Sequence, residues 1–252
     1  VNWAPLLWLA VTLFLLALIE RWIHRHLQGI ALLIAGDREV AVVLYALPLL
    51  PGVLLHELSH AAAALLLGVR VGRISLRPLL SGQHIRLGVV PVQRTGPARA
   101  SLIGLAPLLA GCAVILVLGY AVFDVEPARN VVGSLVLGDL AATFRRLISA
   151  QDAWVWFYVI FTVSNTMLPS SSDRRSWAPV LIFLGLAAAL VFVAGYGPVV
   201  TDLLAAPVAS GVDWLAAMTT LTVVADLPFI VLMVIIEQVL CRLRGATLRY
   251  GR

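Results

Sequence analysis

Lysine is missing from this chain: all 18 basic residues are arginine. Charge of either sign is scarce, at 12% of residues where soluble domains carry about 25%. Hydrophobic residues make up 61%, against about 45–50% in soluble domains. Together these exclude an ordinary soluble domain and make the chain an integral membrane protein. The two cysteines, Cys112 and Cys241, both fall in apolar segments and no CxxC occurs, so no disulfide framework follows. The net charge of +5 does not imply nucleic-acid binding, because the arginines lie in short loops flanking apolar runs, where topology determinants sit. No basic residue precedes the first apolar run and no A-x-A site follows it, so the start of the chain does not read as a cleavable signal peptide. Exclusive use of arginine points to a GC-rich genome, and so to a prokaryotic cell (inner) membrane.

No soluble-sized block interrupts the 252 residues, which read as one all-α polytopic membrane domain, 1–252, with about six transmembrane helices. The expected spans are Trp3–Ile19, Val40–Val69 (with Pro48 and Pro51), Ala100–Phe123, Ala153–Leu168 (short and stopped by Pro169), Trp177–Gly195 and Trp214–Leu240. Asp226 and Glu237 interrupt the last of these. The segment after the first span is charged, and His24 and His26 read as interfacial surface residues. "VGRISLR" (71–77) and "HIRLGVVPV" (84–92) are rich in branched residues and flank "PLLSGQ", which reads as a small β-hairpin between spans two and three, with His84 at its surface. Apolar residues recur at helical spacing between Asn130 and Ser149, the pattern of an amphipathic helix lying at the interface. With six spans, twelve of the 18 arginines fall on one side, which puts both termini in the cytoplasm by the positive-inside rule.

Within the second span stands "HELSH", residues 56–60, between AVVLYALPLLPGVLL and AAAALLLGV. Residues i and i+4 of a helix stack on one face, so His56 and His60 present two imidazoles to one point, with Glu57 turned by about 100° around the axis. This is the HExxH arrangement, in which the histidines bind Zn2+ and the glutamate is the general base. Chance occurrence and a polar cluster joining helices are the competing readings. The cost of placing ionisable groups in a bilayer weighs against both, since such groups mark functional sites by default.

A catalytic zinc takes three protein ligands and keeps one open position, so a third ligand must come from elsewhere in the chain. Asp173 is the leading candidate. It lies in "SNTMLPSSSDRRSW", where Asn165, Pro169 and three serines oppose a continuous helix. Unwound backbone at membrane depth needs a polar cavity or protein burial, which is where intramembrane sites are built. The alternative for Asp173 is a helix N-cap in an ordinary loop. Asp226 and Glu237 are further candidate ligands, read first as interhelical polar contacts.

The segment "HELSHAAAALLLGVRVGRISLRP" resembles the site-2 protease family of intramembrane zinc metalloproteases, whose HExxH helix runs into a "GxxV..I.L" strand. "SLIGLAPLLAGCAVIL" (101–116) resembles that family's "GPLAN" region, and "NTMLPSSSD" its N-x-x-P-x-x-x-x-D-G motif. The interval from Asn165 to Asp173 matches the family's spacing between its asparagine and its zinc-binding aspartate. The resemblance covers roughly residues 40–180, which it marks as the catalytic core. The chain departs from the pattern in four places. Arg174 replaces the glycine after the aspartate, Pro169 is one position late, Ala106 replaces the glycine of "GP", and the asparagine ending that motif is missing. No PDZ-like insert is present, so the chain resembles a divergent member. The resemblance implies Asp173 as zinc ligand and Asn165 as a contact to substrate backbone.

The function expected from the residues and the resemblance is a zinc metalloendopeptidase hydrolysing peptide bonds of membrane-embedded protein or peptide substrates. Its partners are the transmembrane substrate and the lipid bilayer, not nucleic acid. The rival reading is a catalytically inactive pseudoprotease that binds transmembrane helices. Glu57 opposes that rival, because binding alone needs no general base. A transporter is a third reading, suggested by the broken fourth span but lacking the internal repeat that such folds carry.

Overall fold

The computed structural model describes residues 3–76, 78–81, 84–123, 148–170, 172–245 and 248. Its first helix, α1 (Ala4–Ala35), is longer than the apolar run that begins it. The charged segment expected to follow the first span is instead helical, because every third or fourth residue in it is apolar: Ile23, Leu27 and Ile30 are buried against neighbouring helices. Gly36, in the left-handed region at φ 69°, ends α1, and its N–H closes on the Leu32 carbonyl. Asp37 then caps α2 (Arg38–Ala46) by accepting from the Glu39 and Val40 N–H groups. A two-residue corner thus joins two helices where a loop was expected.

A 3-10 turn at Leu47–Leu49 links α2 to α3 (Leu50–Leu66), and Pro48 and Pro51 sit at the starts of these two elements, where a missing N–H does no harm. Next come α4 (Pro97–Ala121), α5 (Ala153–Ser164), a 3-10 turn at Asp173–Ser176, α6 (Trp177–Val193) and α7 (Gly197–Arg244). Among the described residues, four segments are long and apolar enough to cross a membrane: Ala4–Ala35, Arg38–Leu66, Pro97–Ala121 and Gly197–Arg244. The 12 residues of α5 reach only about 18 Å, short of the roughly 30 Å hydrocarbon core, and α5 stops at Ser164 rather than continuing to Leu168. In contrast, α7 runs 48 residues, about 70 Å, through Pro207 and Pro228. It begins well before the Trp214 expected as the start of a sixth span.

Between α3 and α4 the chain is extended. Leu79–Ser81 (β1) pairs antiparallel with His84–Arg86 (β2), in register Leu79 to Arg86, and isolated bridges join Val71 to Val92 and Ser75 to Val89. The three-residue β1 therefore lies inside the stretch read from sequence as the turn. The interfacial helix expected over 130–149 falls almost wholly outside the described residues.

The packing is arranged around α7. On one side it meets α1, joined by apolar contacts and by polar ones that include His26 to Glu237, Thr12 to Thr219 at 2.7 Å, and the Trp8 indole donating to Thr220 at 3.0 Å. Such hydroxyl contacts are a common means of joining helices in lipid. The Arg244 guanidinium, at the far end of α7, donates to the Ile34 carbonyl and so satisfies a terminal group of α1. On the other side Leu221 and Ala225 of α7 join Ile115 and Leu118 of α4 and Phe157 and Ile160 of α5 in one buried cluster. No residue of α6 is buried.

The site depends on how closely α3 approaches α5. A Cβ at Gly52 would lie 2.1 Å from the Thr162 carbonyl oxygen and 2.3 Å from Thr166 Oγ1, so only glycine permits the approach. Gly52→Ala should push the two helices apart and destabilise the protein by about 1–3 kcal/mol, as overpacking does. A thermal melt in detergent that matches wild type would contradict this packing.

Candidate metal centre

His56 and His60 lie one turn apart on α3, their rings 4.8 Å between centroids and nearly perpendicular. Each ring is held by its Nδ1. That of His56 bonds the Thr166 carbonyl at 2.7 Å and that of His60 bonds the Ile103 carbonyl at 2.8 Å. A carbonyl accepts only, so Nδ1 carries the proton in both rings and each Nε2 is left with a lone pair.

Both carbonyls are available because the usual donor is absent for one and turned elsewhere for the other. In a regular helix the Ile103 carbonyl would accept from residue 107, but Pro107 has no N–H. The Thr166 carbonyl lies beyond the end of α5. Pro169 cannot donate to it, and the Ser170 N–H turns instead to Asp173 Oδ2 at 2.8 Å. The histidines thus consume two carbonyls that would otherwise be unsatisfied at membrane depth, and are oriented in doing so.

The same unwound segment fixes Asp173. Ser170 donates to Asp173 Oδ2 from both its N–H and its Oγ, the latter at 2.6 Å, which leaves Oδ1 facing His60 Nε2 at 3.5 Å. The segment is brought to this place by a second close approach. A Cβ at Gly104 of α4 would lie 2.5 Å from the Asp173 carbonyl oxygen. One potential ligand atom from each of His56, His60 and Asp173 then lies within 4.8 Å of the other two.

These residues fit zinc. With bonds of about 2.0–2.1 Å, adjacent ligands of a tetrahedral ion stand about 3.3–3.4 Å apart, close to the 3.5 Å between His60 and Asp173. The donor set, two imidazoles and one carboxylate, would leave one position of a tetrahedral ion open. Asp173 caps no helix here: no side-chain cap is formed at the start of the turn it opens.

Glu57, on the neighbouring face of α3, is buried at 7% exposure. The extended chain between the strands and α4 lies across it: Val90 hydrogen-bonds the carboxylate through its backbone, and a Cβ at Gly88 would be 2.8 Å from Glu57 Oε1. The Asp173 charge is felt at Glu57, so base candidate and third ligand candidate share one neighbourhood.

The other sequence candidates lie in different networks. Asp226 is wholly buried and accepts from the Asn165 amide at 3.3 Å and Ser164 Oγ at 3.4 Å. Glu237 bonds His26. The Asn165 side chain is also buried, its amide nitrogen directed at Phe161, Ser164 and Asp226. So placed it offers no N–H to a substrate strand, and its Oδ1 has no partner among the described residues. His24 and His26 are half-buried and bonded to neighbouring helices rather than free at the surface. His24 bonds the Asn165 carbonyl through Nε2 and the Tyr45 hydroxyl through Nδ1, because the continuation of α1 turns both histidines toward α2, α5 and α7. This polar network was missed in the sequence, where bonded members lie up to 211 residues apart. The one available signal was the number of ionisable residues in apolar runs.

Comparison with protein-family models, with curated proteins and with solved structures found no match.

His56→Ala, His60→Ala and Asp173→Ala should each abolish stoichiometric zinc binding, while Asp226→Ala leaves it intact. Pro107→Ala restores a donor for the Ile103 carbonyl and should weaken zinc binding by about tenfold or more, the usual cost of losing a group that orients a metal ligand. Competition with a chromophoric chelator measures all five. Loss of zinc from Asp226→Ala but not from Asp173→Ala would move the centre to α7.

Proposed function

We propose that the protein is an intramembrane zinc endopeptidase acting on membrane-embedded protein or peptide substrates. The observation that carries this reading is the division of labour in each ligand side chain. One polar atom of His56, His60 and Asp173 is tied to the backbone or to Ser170, and the other faces a common point. A merely structural polar cluster has no need to leave three lone pairs turned on each other.

In this reading His56, His60 and Asp173 hold the ion. Zinc, when bound, supplies a Lewis acid that polarises the scissile carbonyl and lowers the pKa of water. Glu57 accepts the proton of the attacking water and delivers it to the leaving amine. Its burial beneath the 88–90 stretch keeps bulk water from competing for that proton. A transmembrane helix hides its carbonyls in its own hydrogen bonds, so the substrate must unwind before it reacts. The extended segment from Val71 to Val92, read as a β-hairpin, offers strand edges to an unwound chain beside Glu57. Asn165 then acts by holding α5 to α7 rather than by touching substrate. The kinship to site-2 proteases is part of this proposal and rests on the quoted motifs.

Six crossings would place both termini together in the cytoplasm, but α1 and α7 run parallel, with Trp8 beside Thr220 and Arg244 beside Ile34. The termini therefore lie on opposite sides of the bilayer, and the four arginines of 242–252 favour a cytoplasmic C-terminus in a prokaryotic cell. A cytoplasm-active reporter fused after Arg252 should be active, and activity only from an exported reporter would reverse the orientation.

Glu57→Gln is the decisive variant. It should retain zinc and lose cleavage of a co-reconstituted single-span substrate by at least about a hundredfold, the usual contribution of a general base. Cleavage at the wild-type rate would reject the mechanism. A wild-type protein that binds zinc yet cleaves no panel of single-span substrates would favour a helix-binding protein without catalysis.

A further inference from the structure

A cavity of about 890 Å³ opens on the far side of the segment that carries Asp173. Its walls come from three places. One face of α1 contributes Glu20, Arg21, His24 and Arg25, the 168–177 segment contributes Arg174 and Trp177 among others, and Leu108 of α4 adds an apolar patch.

Three observations define what it can hold. The first is charge: three arginines and a single carboxylate line the cavity, and among the described residues the carboxylate, Glu20, is attracted by Arg21 alone, which leaves the arginines in excess. Among the described residues none of the three arginines forms an ion pair within 4 Å. The second is an unused donor. Trp177 lines the cavity, and its Nε1–H is buried with no acceptor among the described residues. The third is position. Arg21 and Arg25 follow directly on the apolar run ending at Ile19, where a helix leaves the hydrocarbon core and meets the headgroups.

We propose that this cavity is a phosphate-binding site, filled by the headgroup phosphate of an anionic membrane lipid or by free phosphate. Planar guanidinium forks match phosphate oxygens in pairs, the indole adds a further donor, and Leu108 and Leu168 take the apolar part of an amphiphile. Basic pockets between transmembrane helices recognise lipid headgroups in this way. Ordinary snorkelling arginines would spread over the surface rather than converge on one cavity with an orphan indole. The site shares Ser170 with the candidate metal centre, where it holds Asp173, but binding of phosphate here needs no metal.

The test is thermal stabilisation of the purified, detergent-solubilised full chain by three probes: short-chain phosphatidylglycerol, inorganic phosphate, and N-acetyl-dialanine as a peptide carboxylate. Phosphatidylglycerol should raise the melting temperature of wild type with saturable, one-to-one behaviour. Arg25→Gln with Arg174→Gln should weaken its binding by about thirtyfold, at about 1 kcal/mol for each arginine removed. The exposed Arg38→Gln and Arg242→Gln should leave it unchanged. If the double variant does not fold, Trp177→Phe serves in its place and should weaken binding by about fivefold, as the loss of one donor does. Stabilisation by phosphatidylglycerol alone identifies a lipid, and an equal response to inorganic phosphate identifies the free anion. No saturable response to either phosphate probe overturns the proposal, as does a response unaltered by these variants or matched by Arg38→Gln. Stabilisation by the dialanine alone replaces the phosphate with a peptide carboxylate. Zinc content plays no part in the readout, so failure here leaves the peptidase reading untouched.

Discussion

A bilayer tolerates no unsatisfied backbone group, and the whole site is a response to that constraint. Pro107 in α4 takes a donor out of the main-chain ladder and leaves the Ile103 carbonyl without a helical partner, while the Thr166 carbonyl lies past the end of α5 and the Ser170 N–H turns to Asp173 instead. In water such groups would be hydrated at little cost. Here they are met by the imidazoles of His60 and His56. The same bonds that repair the backbone fix the tautomer of each ring and turn the second nitrogen toward the centre. Stability and preorganisation are therefore one set of contacts, and neither histidine can be lost without exposing a buried carbonyl.

Such contacts require backbones to come closer than side chains normally allow. Gly52 admits the end of α5, Gly104 admits the chain at Asp173, and Gly111, whose Cβ would meet Met167 at 2.7 Å, admits the stretch between them. The residues from Thr162 to Asp173 are thus threaded through a groove between α3 and α4 whose width is set by missing methyl groups. A rigid groove suits a metal centre, where a ligand displaced by half an ångström no longer reaches the ion.

What the sequence disclosed follows from the range of each interaction. The cluster of His56, His60 and Asp173 was legible because the two histidines of HELSH lie one helical turn apart, and because a proline stop and three serines sit beside Asp173. The membrane class followed from composition alone. The continuation of α1 to Ala35 was hidden by its charges: Glu20, Arg21 and Arg25 suggest an end, whereas the apolar spacing of Ile23, Leu27 and Ile30 continues the helix. The 48 residues of α7 were hidden likewise, since Asp226 and Glu237 read as interruptions and the expected span began only at Trp214. The bonds of His24, Asn165 and Asp226 could not be read at all. They depend on which faces of α1, α5 and α7 meet, and one sequence does not carry that.

Asp226 shows how far the site extends beyond its ligands. A carboxyl group with no exposure needs donors, and Asn165 and Ser164 supply them from the last turn of α5. The Asn165 carbonyl is bonded in turn by His24, which the Tyr45 hydroxyl holds from its other side. The next residue is Thr166, whose carbonyl orients His56. The end of α5 is therefore gripped from α1, α2 and α7 through polar bonds and from α3 through the Gly52 contact. A helix too short to span the hydrocarbon core cannot be positioned by the bilayer, so its neighbours must fix its end. The buried network on the side away from the metal centre is what allows a 12-residue helix to hold a ligand-bearing loop in place.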